Sequence, residues 1–129
     1  MAYVYSEATK LAGKKVVGNG HCVELVKKYV NVGTTVGWRE GAAVVGNSTL
    51  KEGTAIATFV HGRYLSRPHG NHAAFFVREA LGGIYVIDQW KSKDKIEVGQ
   101  RFIKSKGKNA DGSYKDPSNN ADAFSVIER

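Results

Sequence analysis

HAAFFVREALGGIYVID, residues 72–88, is the most strand-like stretch of the sequence and decides the fold prediction. Two runs rich in β-branched and aromatic residues flank Gly82-Gly83, a pair that favours a tight hairpin turn. In an antiparallel pair that turns there, residues whose numbers sum to about 160–165 lie opposite each other. We therefore predict that His72 and Asp88, at the outer ends of the hairpin, come within cross-strand reach.

Shorter patterns predict the elements around this hairpin. Val23, Val26 and Val30 recur at intervals of three and four, which predicts a helix that begins at or beside Cys22. Helices followed by a meander of strands indicate an α+β fold, in which N-terminal helices pack on an antiparallel sheet of about five strands. The other predicted elements are a short helix over residues 6–12 capped by Ser6, strands over 54–60, 96–104 and 123–128, and loops over 31–47 and 105–121.

Length and composition restrict the class of protein. A chain of 129 residues with 42% hydrophobic and 24% charged residues is typical of a single globular domain. No apolar run approaches the roughly 18 residues that span a bilayer. Residues 1–7 have neither the basic start nor the apolar core of a secretory signal. We therefore expect synthesis in the cytoplasm without a signal peptide, and no membrane insertion.

Three residues occur where cysteine-based hydrolysis needs them. Cys22 is the only cysteine, which excludes an internal disulfide and a multi-cysteine zinc site. At a helix N-terminus, unpaired amides and the helix dipole stabilise a thiolate. A histidine can deprotonate such a thiol, and a carboxylate can orient the imidazole. The sequence therefore predicts Cys22 as nucleophile, His72 as general base and Asp88 as the orienting group.

Two short motifs carry a resemblance to a known family. Gly20-His21-Cys22-Val23 at a predicted helix start, followed by GNHAAF (residues 70–75) at a strand start, resembles the NlpC-type and CHAP cysteine peptidases. The resemblance covers residues 18–90 and implies a compact papain-like core that cleaves peptides or amides of peptidoglycan. More narrowly, the chain resembles the small amidase effectors of bacterial type VI secretion.

This resemblance implies the remaining expectations about function. Residues 1–129 should form one catalytic domain, monomeric and without a cofactor, that hydrolyses a peptidoglycan peptide. The protein should be exported, act in the periplasm of target bacteria and have a cognate immunity protein. The bond that is cut stays open between the one joining D-Glu to diaminopimelate and the cross-link joining diaminopimelate to D-Ala.

The donor of the oxyanion hole departs from the family pattern. CHAP members often have Gln directly before the cysteine, where this sequence has His21. Asn19 and Gln89 are therefore the candidate side-chain donors, beside the backbone amide of Cys22. The candidate substrate contacts are Trp38 and His69, from the loops 38–47 and 63–69, either of which could select the peptide.

A second class of function depends on charge. The formal charge of +7 is concentrated in residues 91–108, which we call the basic stripe. Such a stripe attracts a nucleic acid, an anionic membrane surface or an anionic cell-wall polymer, or is a solvated face. The alternative function is a small basic nucleic-acid-binding module, with Trp90 and Phe102 stacking on bases. Because RRM, KH and helix-turn-helix signatures are missing from the sequence, we expect no nucleic-acid partner.

A zinc site is a further alternative. His61, His69, His72 and Cys22 are the right types of ligand, but zinc needs four convergent ligands. The pair formed by His69 and His72 also lies in a predicted loop, whereas such pairs bind zinc from one face of a helix. We therefore expect no metal in this site.

Overall fold

An antiparallel sheet of six strands forms the centre of the fold in a computed structural model, which describes residues 2–129. The strands are β1 (Arg39–Ala43), β2 (Ala55–Thr58), β3 (Ala73–Ala80), β4 (Gly83–Asp88), β5 (Gly99–Lys104) and β6 (Phe124–Glu128). Their order across the sheet is β1-β6-β2-β3-β4-β5, so β6 lies between β1 and β2. The predicted α+β class with an antiparallel sheet is confirmed, with one strand more than expected.

The α-helix α1 (Cys22–Tyr29) packs against β3. Leu25 and Val26 on its inner face are fully buried, whereas Lys27 and Lys28 are exposed. The prediction of a helix that begins at or beside Cys22 is therefore confirmed. None of the helices within residues 2–129 is long and apolar enough to cross a membrane. Short 3-10 helices lie at Ala8–Leu11, Thr35–Gly37, Pro117–Asn119 and Ala121–Ala123.

Two segments differ from the sequence prediction. Residues 6–12 contain only the 3-10 helix Ala8–Leu11, and no side chain caps it, so the predicted cap at Ser6 was wrong. Only Ala8 and Leu11 are buried there, an apolar face too small to stabilise a longer helix. The predicted loop 31–47 contains β1. That strand has no alternating apolar pattern because it lies at the sheet edge and is largely exposed.

The pairing of β3 with β4 brings His72 close to Asp88. Phe75 of β3 pairs with Ile87 of β4, which is a register within the predicted range. His72 directly precedes β3 and Asp88 ends β4, so the two residues lie at the same end of this strand pair. The hairpin therefore positions both side chains, as its sequence indicated.

The turn of the hairpin lies one residue earlier than predicted. Gly83 already pairs with Ala80 as part of β4, which leaves Leu81 and Gly82 as the turn. Gly83 has a different role from the one expected, because a Cβ there would clash with the carbonyl oxygen of Ile103 in β5. Glycine at this position permits close pairing of β4 with β5.

Apolar side chains bury both faces of the sheet. Trp38, Phe75 and Ile87 belong to the cluster on the side of α1, while Phe76 and Val86 belong to the cluster on the opposite face. Consecutive residues of β3 and β4 thus enter different clusters. Both strands are apolar without alternation for this reason, which made them the strongest signal in the sequence.

Candidate active site

Cys22 is the first residue of α1 and is half-buried, with a free thiol. Its backbone amide, at the first helical position, has no acceptor within the helix. The positive end of the helix dipole also lies at this residue. Both effects favour a thiolate over a thiol.

His72 is held from three sides. Its backbone amide donates to Thr58 Oγ1 over 3.0 Å, and its ring packs edge-on against Phe124. Its Nε2 lies 2.7 Å from Asp88 Oδ2, and both side chains are buried. The cross-strand proximity predicted from the hairpin is therefore observed. Nδ1 is the ring nitrogen left to interact with Cys22, which is close enough for each residue to shift the pKa of the other.

Cys22 and His72 shift each other's pKa in opposite directions. Burial alone raises the pKa of the Cys22 thiol, but the hydrogen bond and charge of His72, together with hydrogen bonds from Tyr64 and the Ala73 backbone, lower the pKa below its ordinary value. Burial alone lowers the pKa of His72, but hydrogen bonds to Asp88 and Cys22 and the charges of both raise it to about 9. These opposite shifts favour the thiolate and the imidazolium, which together are the reactive form of a cysteine nucleophile.

Tyr64 contacts the thiol, although nothing in its sequence context singled it out. Its hydroxyl oxygen lies 3.7 Å from Cys22 Sγ and accepts a hydrogen bond of 3.3 Å from Asn71 Nδ2. Because Asn71 donates to this oxygen, the hydroxyl hydrogen is available for the sulfur. Burial and the negative charge of Cys22 raise the pKa of Tyr64, so the hydroxyl keeps its proton.

Arg101 contacts the carboxylate of the site and was also missed. Its Nε donates to Asp88 Oδ2 over 2.7 Å. Burial alone raises the pKa of Asp88, but the hydrogen bonds and charges of His72 and Arg101 lower it below its ordinary value. The sequence indicated only that Arg101 is one of the positive charges of the basic stripe. Only the register of β4 with β5 could have predicted this contact. Gly99 pairs with Asp88, and Arg101, two residues further along β5, is the diagonal neighbour of Asp88.

The two candidate side-chain donors of the oxyanion hole hold the backbone instead. Gln89 is fully buried; its Oε1 accepts from the Val17 amide over 2.7 Å, and its Nε2 donates to the carbonyls of Val17 and His21. Asn19 Oδ1 accepts from the His21 amide over 3.0 Å. Gln89 therefore has no hydrogen left for an oxyanion, and both residues shape the segment before Cys22. Asn19 also does not line the pocket that contains Cys22, so the backbone amide of Cys22 is left as the candidate donor.

The two candidate substrate contacts lie outside the pocket. Trp38 is fully buried, and its indole Nε1 donates to the carbonyls of Val32 and Gly33 over 3.1 and 3.2 Å. Its ring packs edge-on against Tyr64, so Trp38 belongs to the support beneath the site. His69 is exposed and does not line the pocket.

Cys22 and His72 line a pocket of about 540 Å³. Of the two loops expected to select the peptide, residues 63–69 reach this pocket through Arg67 and Pro68. Residues 38–47 do not, because β1 lies at the far edge of the sheet. No acidic side chain of the described residues lines the pocket, so its potential is positive. The basic side chains that line it are His21, Arg67, Lys91 and Arg101.

The basic stripe does not form one surface. Lys91 and Arg101 line the pocket, and Lys106 pairs with Asp116 over 2.8 Å. Lys95 and Arg101 lie over the Trp90 ring, and Phe102 packs on Tyr85, while both Trp90 and Phe102 stay exposed. No group of three or more histidine, cysteine or acidic side chains in residues 2–129 could hold a metal ion. The charges of the basic stripe are therefore divided between the pocket and contacts elsewhere on the surface.

A cysteine at the start of a helix, facing a buried histidine–carboxylate pair on an antiparallel sheet, is typical of papain-like cysteine hydrolases. Comparison with known proteins narrows this class. A family model described as Domesticated amidase effector 2 (Dae2) matches residues 2–127. The chain belongs to this family.

The similarity to known proteins extends over nearly the whole chain. The type VI secretion amidase effector 2 protein of Salmonella typhi is 47% identical over 133 residues, covering 99% of this chain and 100% of that protein. Domesticated amidase effector 2 of Ixodes scapularis is 36% identical over 131 residues, covering 95% of this chain and 82% of that protein. A solved structure of type 6 secretion amidase effector 2 (Tae2) matches with a TM-score of 0.91 at 46% identity, covering 98% of this chain and 94% of that one.

These similarities confirm the predicted class of enzyme, a small type VI secretion amidase effector, and give no support to a nucleic-acid-binding module. The family match also continues beyond residue 90, where the sequence motifs had shown no resemblance. The C-terminal part of the chain therefore belongs to the same domain type as the motifs around Cys22 and His72.

Proposed function

We propose that this protein is a cysteine amidase that cleaves an amide bond in the peptide part of bacterial peptidoglycan. Cys22 is the nucleophile, His72 donates and accepts the proton, and Asp88 orients His72. The observation that carries the proposal is that Cys22 and His72 line one pocket while the His72 ring is hydrogen-bonded to Asp88. Membership of an amidase effector family supports the reaction class. The positive pocket suits a peptide that carries carboxylates.

Acylation begins from the thiolate–imidazolium pair. The Cys22 thiolate attacks the carbonyl carbon of the amide, a C–S bond forms, and the carbonyl oxygen takes the negative charge. The backbone amide of Cys22 donates to this oxyanion. When the tetrahedral intermediate collapses, the C–N bond breaks and His72 gives its Nδ1 proton to the leaving nitrogen.

Deacylation uses the now neutral His72 as a base. It takes a proton from water as the water oxygen attacks the thioester carbon. The C–O bond forms, the C–S bond breaks, and the carboxylic acid leaves a thiolate and an imidazolium behind. Asp88, bonded at Nε2, holds the tautomer that leaves Nδ1 for each proton transfer.

The proposal includes the setting in which the enzyme acts. A secreted enzyme of this specificity acts in the periplasm of target bacteria, as a monomer and as a single catalytic domain. Its producer then needs a cognate immunity protein. We propose an acidic protein that covers the cleft between Cys22 and His72, since basic side chains line that pocket.

Digestion of purified peptidoglycan, followed by mass spectrometry of the products, tests the reaction and identifies the bond. The wild type should cut either the D-Glu–diaminopimelate bond or the diaminopimelate–D-Ala cross-link. Cys22→Ala should release nothing while keeping the wild-type circular dichroism spectrum, because one small side chain replaces another. Release of the same products by Cys22→Ala would show that another residue is the nucleophile.

Two further variants rank the roles of the other residues. His72→Ala should lose about as much activity as Cys22→Ala, since the thiol then lacks its proton acceptor. Asp88→Asn should lose less, because orientation contributes less than the nucleophile. His69→Ala is the matched control, since His69 is exposed outside the pocket. Equal losses for His69→Ala and His72→Ala would contradict the assignment.

Expression in the periplasm tests the setting. Wild-type protein directed there should lyse the cells, and Cys22→Ala should not. Co-expression of the proposed immunity protein should prevent lysis. Harmless accumulation of folded wild-type protein would argue against an antibacterial effector.

A further inference from the structure

Asp88 uses one of its two carboxylate oxygens for both of its charged partners. Oδ2 accepts from His72 Nε2 and from Arg101 Nε, each over 2.7 Å. Oδ1 is buried and has no hydrogen-bond partner within residues 2–129. Although buried polar atoms are nearly always hydrogen-bonded, no contact to Oδ1 within the described residues holds the carboxylate in this rotation. The contact with Arg101 is therefore the one besides His72 that fixes the orientation of the Asp88 carboxylate.

Arg101 is fixed at its other end as well. Its Nη1 donates to Asn119 Oδ1 over 3.1 Å, and its guanidinium lies over the Trp90 ring. Only 28% of the side chain is exposed. The planar guanidinium thus joins Asp88 and Asn119 in a rigid fork, a geometry that a flexible ammonium cannot reproduce.

The loop 105–121 holds Asn119 in place. Asn119 Nδ2 donates to Asp116, which pairs with Lys106 across the loop. The neighbouring Asn120 is fully buried and closes the loop through four backbone partners, which are the amides of Lys106 and Asp122 and the carbonyls of Gly107 and Lys115. Contacts therefore run without interruption from this loop through Arg101 to Asp88.

We propose that Arg101 is a positioning residue of the active site, and that residues 105–121 hold it there through Asn119. Arg101 fixes Asp88 with Oδ2 against His72, which orients the imidazole toward Cys22. The effect on catalysis rests on the proposed function.

Arg101 also matters at one step of that reaction. When His72 has given its proton to the leaving nitrogen, it is neutral, and Arg101 is then the only charged partner of Asp88 among the described residues. A guanidinium does not lose its proton in proteins, so Asp88 stays ionised through this step. Among the described residues, His72 and Arg101 are the titratable or charged groups in contact with Asp88, while Cys22 acts on His72 and Tyr64 acts on Cys22.

Three variants and one control test this role in assays on a soluble muropeptide. Arg101→Gln should lower kcat by about 10–100-fold, the usual effect of groups that orient an imidazole from behind, with little change in KM. The acid limb of its pH profile should move to higher pH, because Asp88 has lost a cation that lowers its pKa. Arg101→Lys should recover part of the loss, and Asn119→Ala should show a smaller loss. Lys104→Gln, an exposed position on the same strand, should match the wild type.

Proton NMR gives a readout that does not depend on amidase activity. The low-field signal of the hydrogen bond between His72 and Asp88 should broaden or vanish in Arg101→Gln and persist in Lys104→Gln. This measurement remains valid even if the wild type proves to have no amidase activity. An unchanged kcat and NMR signal in Arg101→Gln would overturn the proposal. So would a higher KM with unchanged kcat and acid limb, which would mean that Arg101 binds substrate. If Arg101→Gln does not fold, unchanged values in both Arg101→Lys and Asn119→Ala overturn it equally.

Discussion

Asp88 and Gln89 are consecutive residues at the end of β4, and they hold opposite halves of the active site. Asp88 bonds to the ring of His72. Gln89 bonds to the backbone of Val17 and His21, in the segment that leads into Cys22. The end of one strand therefore sets the position of the nucleophile relative to its base.

Gln89→Ala should disturb this arrangement without touching the reacting groups. It removes three hydrogen bonds from the fully buried Gln89 side chain to the partly buried backbone of Val17 and His21, so we expect a loss of about 1–3 kcal/mol in the free energy of unfolding. The kcat should also fall, because Cys22 is no longer held against His72. Urea unfolding and steady-state kinetics measure the two effects. Gln100→Ala, at an exposed position on β5, is the control. Wild-type stability in Gln89→Ala would contradict the role of these contacts.

The thiolate–imidazolium pair predicts the pH range of activity. The pKa of His72 is raised to about 9, so the imidazolium is present at neutral pH and is lost as the pH rises through about 9. We expect kcat/KM to fall there, because the leaving nitrogen then has no proton donor. The pKa of Cys22 is lowered, so alkylation by iodoacetamide should remain fast below the pH at which an ordinary cysteine reacts. In His72→Ala the alkylation curve should move to higher pH. If the two curves coincide, His72 does not stabilise the thiolate.

Tyr64→Phe should raise the pKa of Cys22. The Tyr64 hydroxyl stabilises the thiolate by donating to the sulfur, and phenylalanine keeps the ring that packs on Trp38. The pH dependence of Cys22 alkylation should therefore move to higher pH with little change in melting temperature. Tyr85→Phe, which changes a tyrosine in contact with Phe102, should leave the alkylation curve in place. A Tyr64→Phe curve identical to that of the wild type would show that the hydroxyl does not act on the thiol.

Lys93 and Lys104 test whether the basic stripe steers the enzyme to its polymeric substrate. Among the described residues, neither ammonium group forms a hydrogen bond or an ion pair, and neither lines the pocket that contains Cys22. We expect the double variant Lys93→Glu/Lys104→Glu to digest whole sacculi more slowly at low salt. High salt should abolish the difference, since the screening length is about 8 Å at physiological ionic strength. Cleavage of a soluble muropeptide should barely change. Equal slowing on both substrates would place these lysines in substrate binding at the site.

The sequence was most informative where local pattern and tertiary structure agree. β3 and β4 are buried on both faces, so their apolar runs could be recognised without knowing their neighbours. The position of the turn predicted the register of β3 with β4, and that register predicted the contact of His72 with Asp88. The apolar periodicity of α1 similarly predicted a helix that begins at or beside Cys22.

The residues that were missed or misplaced depend on contacts between distant parts of the chain. Tyr64 meets Cys22 across 42 positions, and only the pairing of β4 with β5 brings Arg101 to Asp88. Trp38 follows a glycine-containing segment that suggests an exposed loop. Its indole is buried instead and donates to the carbonyl of Val32, six residues earlier. The sequence does not indicate whether a polar side chain such as Gln89 will bind substrate or hydrogen-bond to the backbone.

The position of β6 in the sheet has a consequence for the synthesis of this protein on the ribosome. Strands β1 and β2 are translated early, but the strand that joins them is residues 124–128. Translation that stops before Phe124 therefore leaves two unpaired strand edges, which pair readily with other chains. His72 would also lack the aromatic ring against which it packs. Although Cys22, His72 and Asp88 all lie before residue 89, prematurely terminated products should aggregate instead of hydrolysing amides.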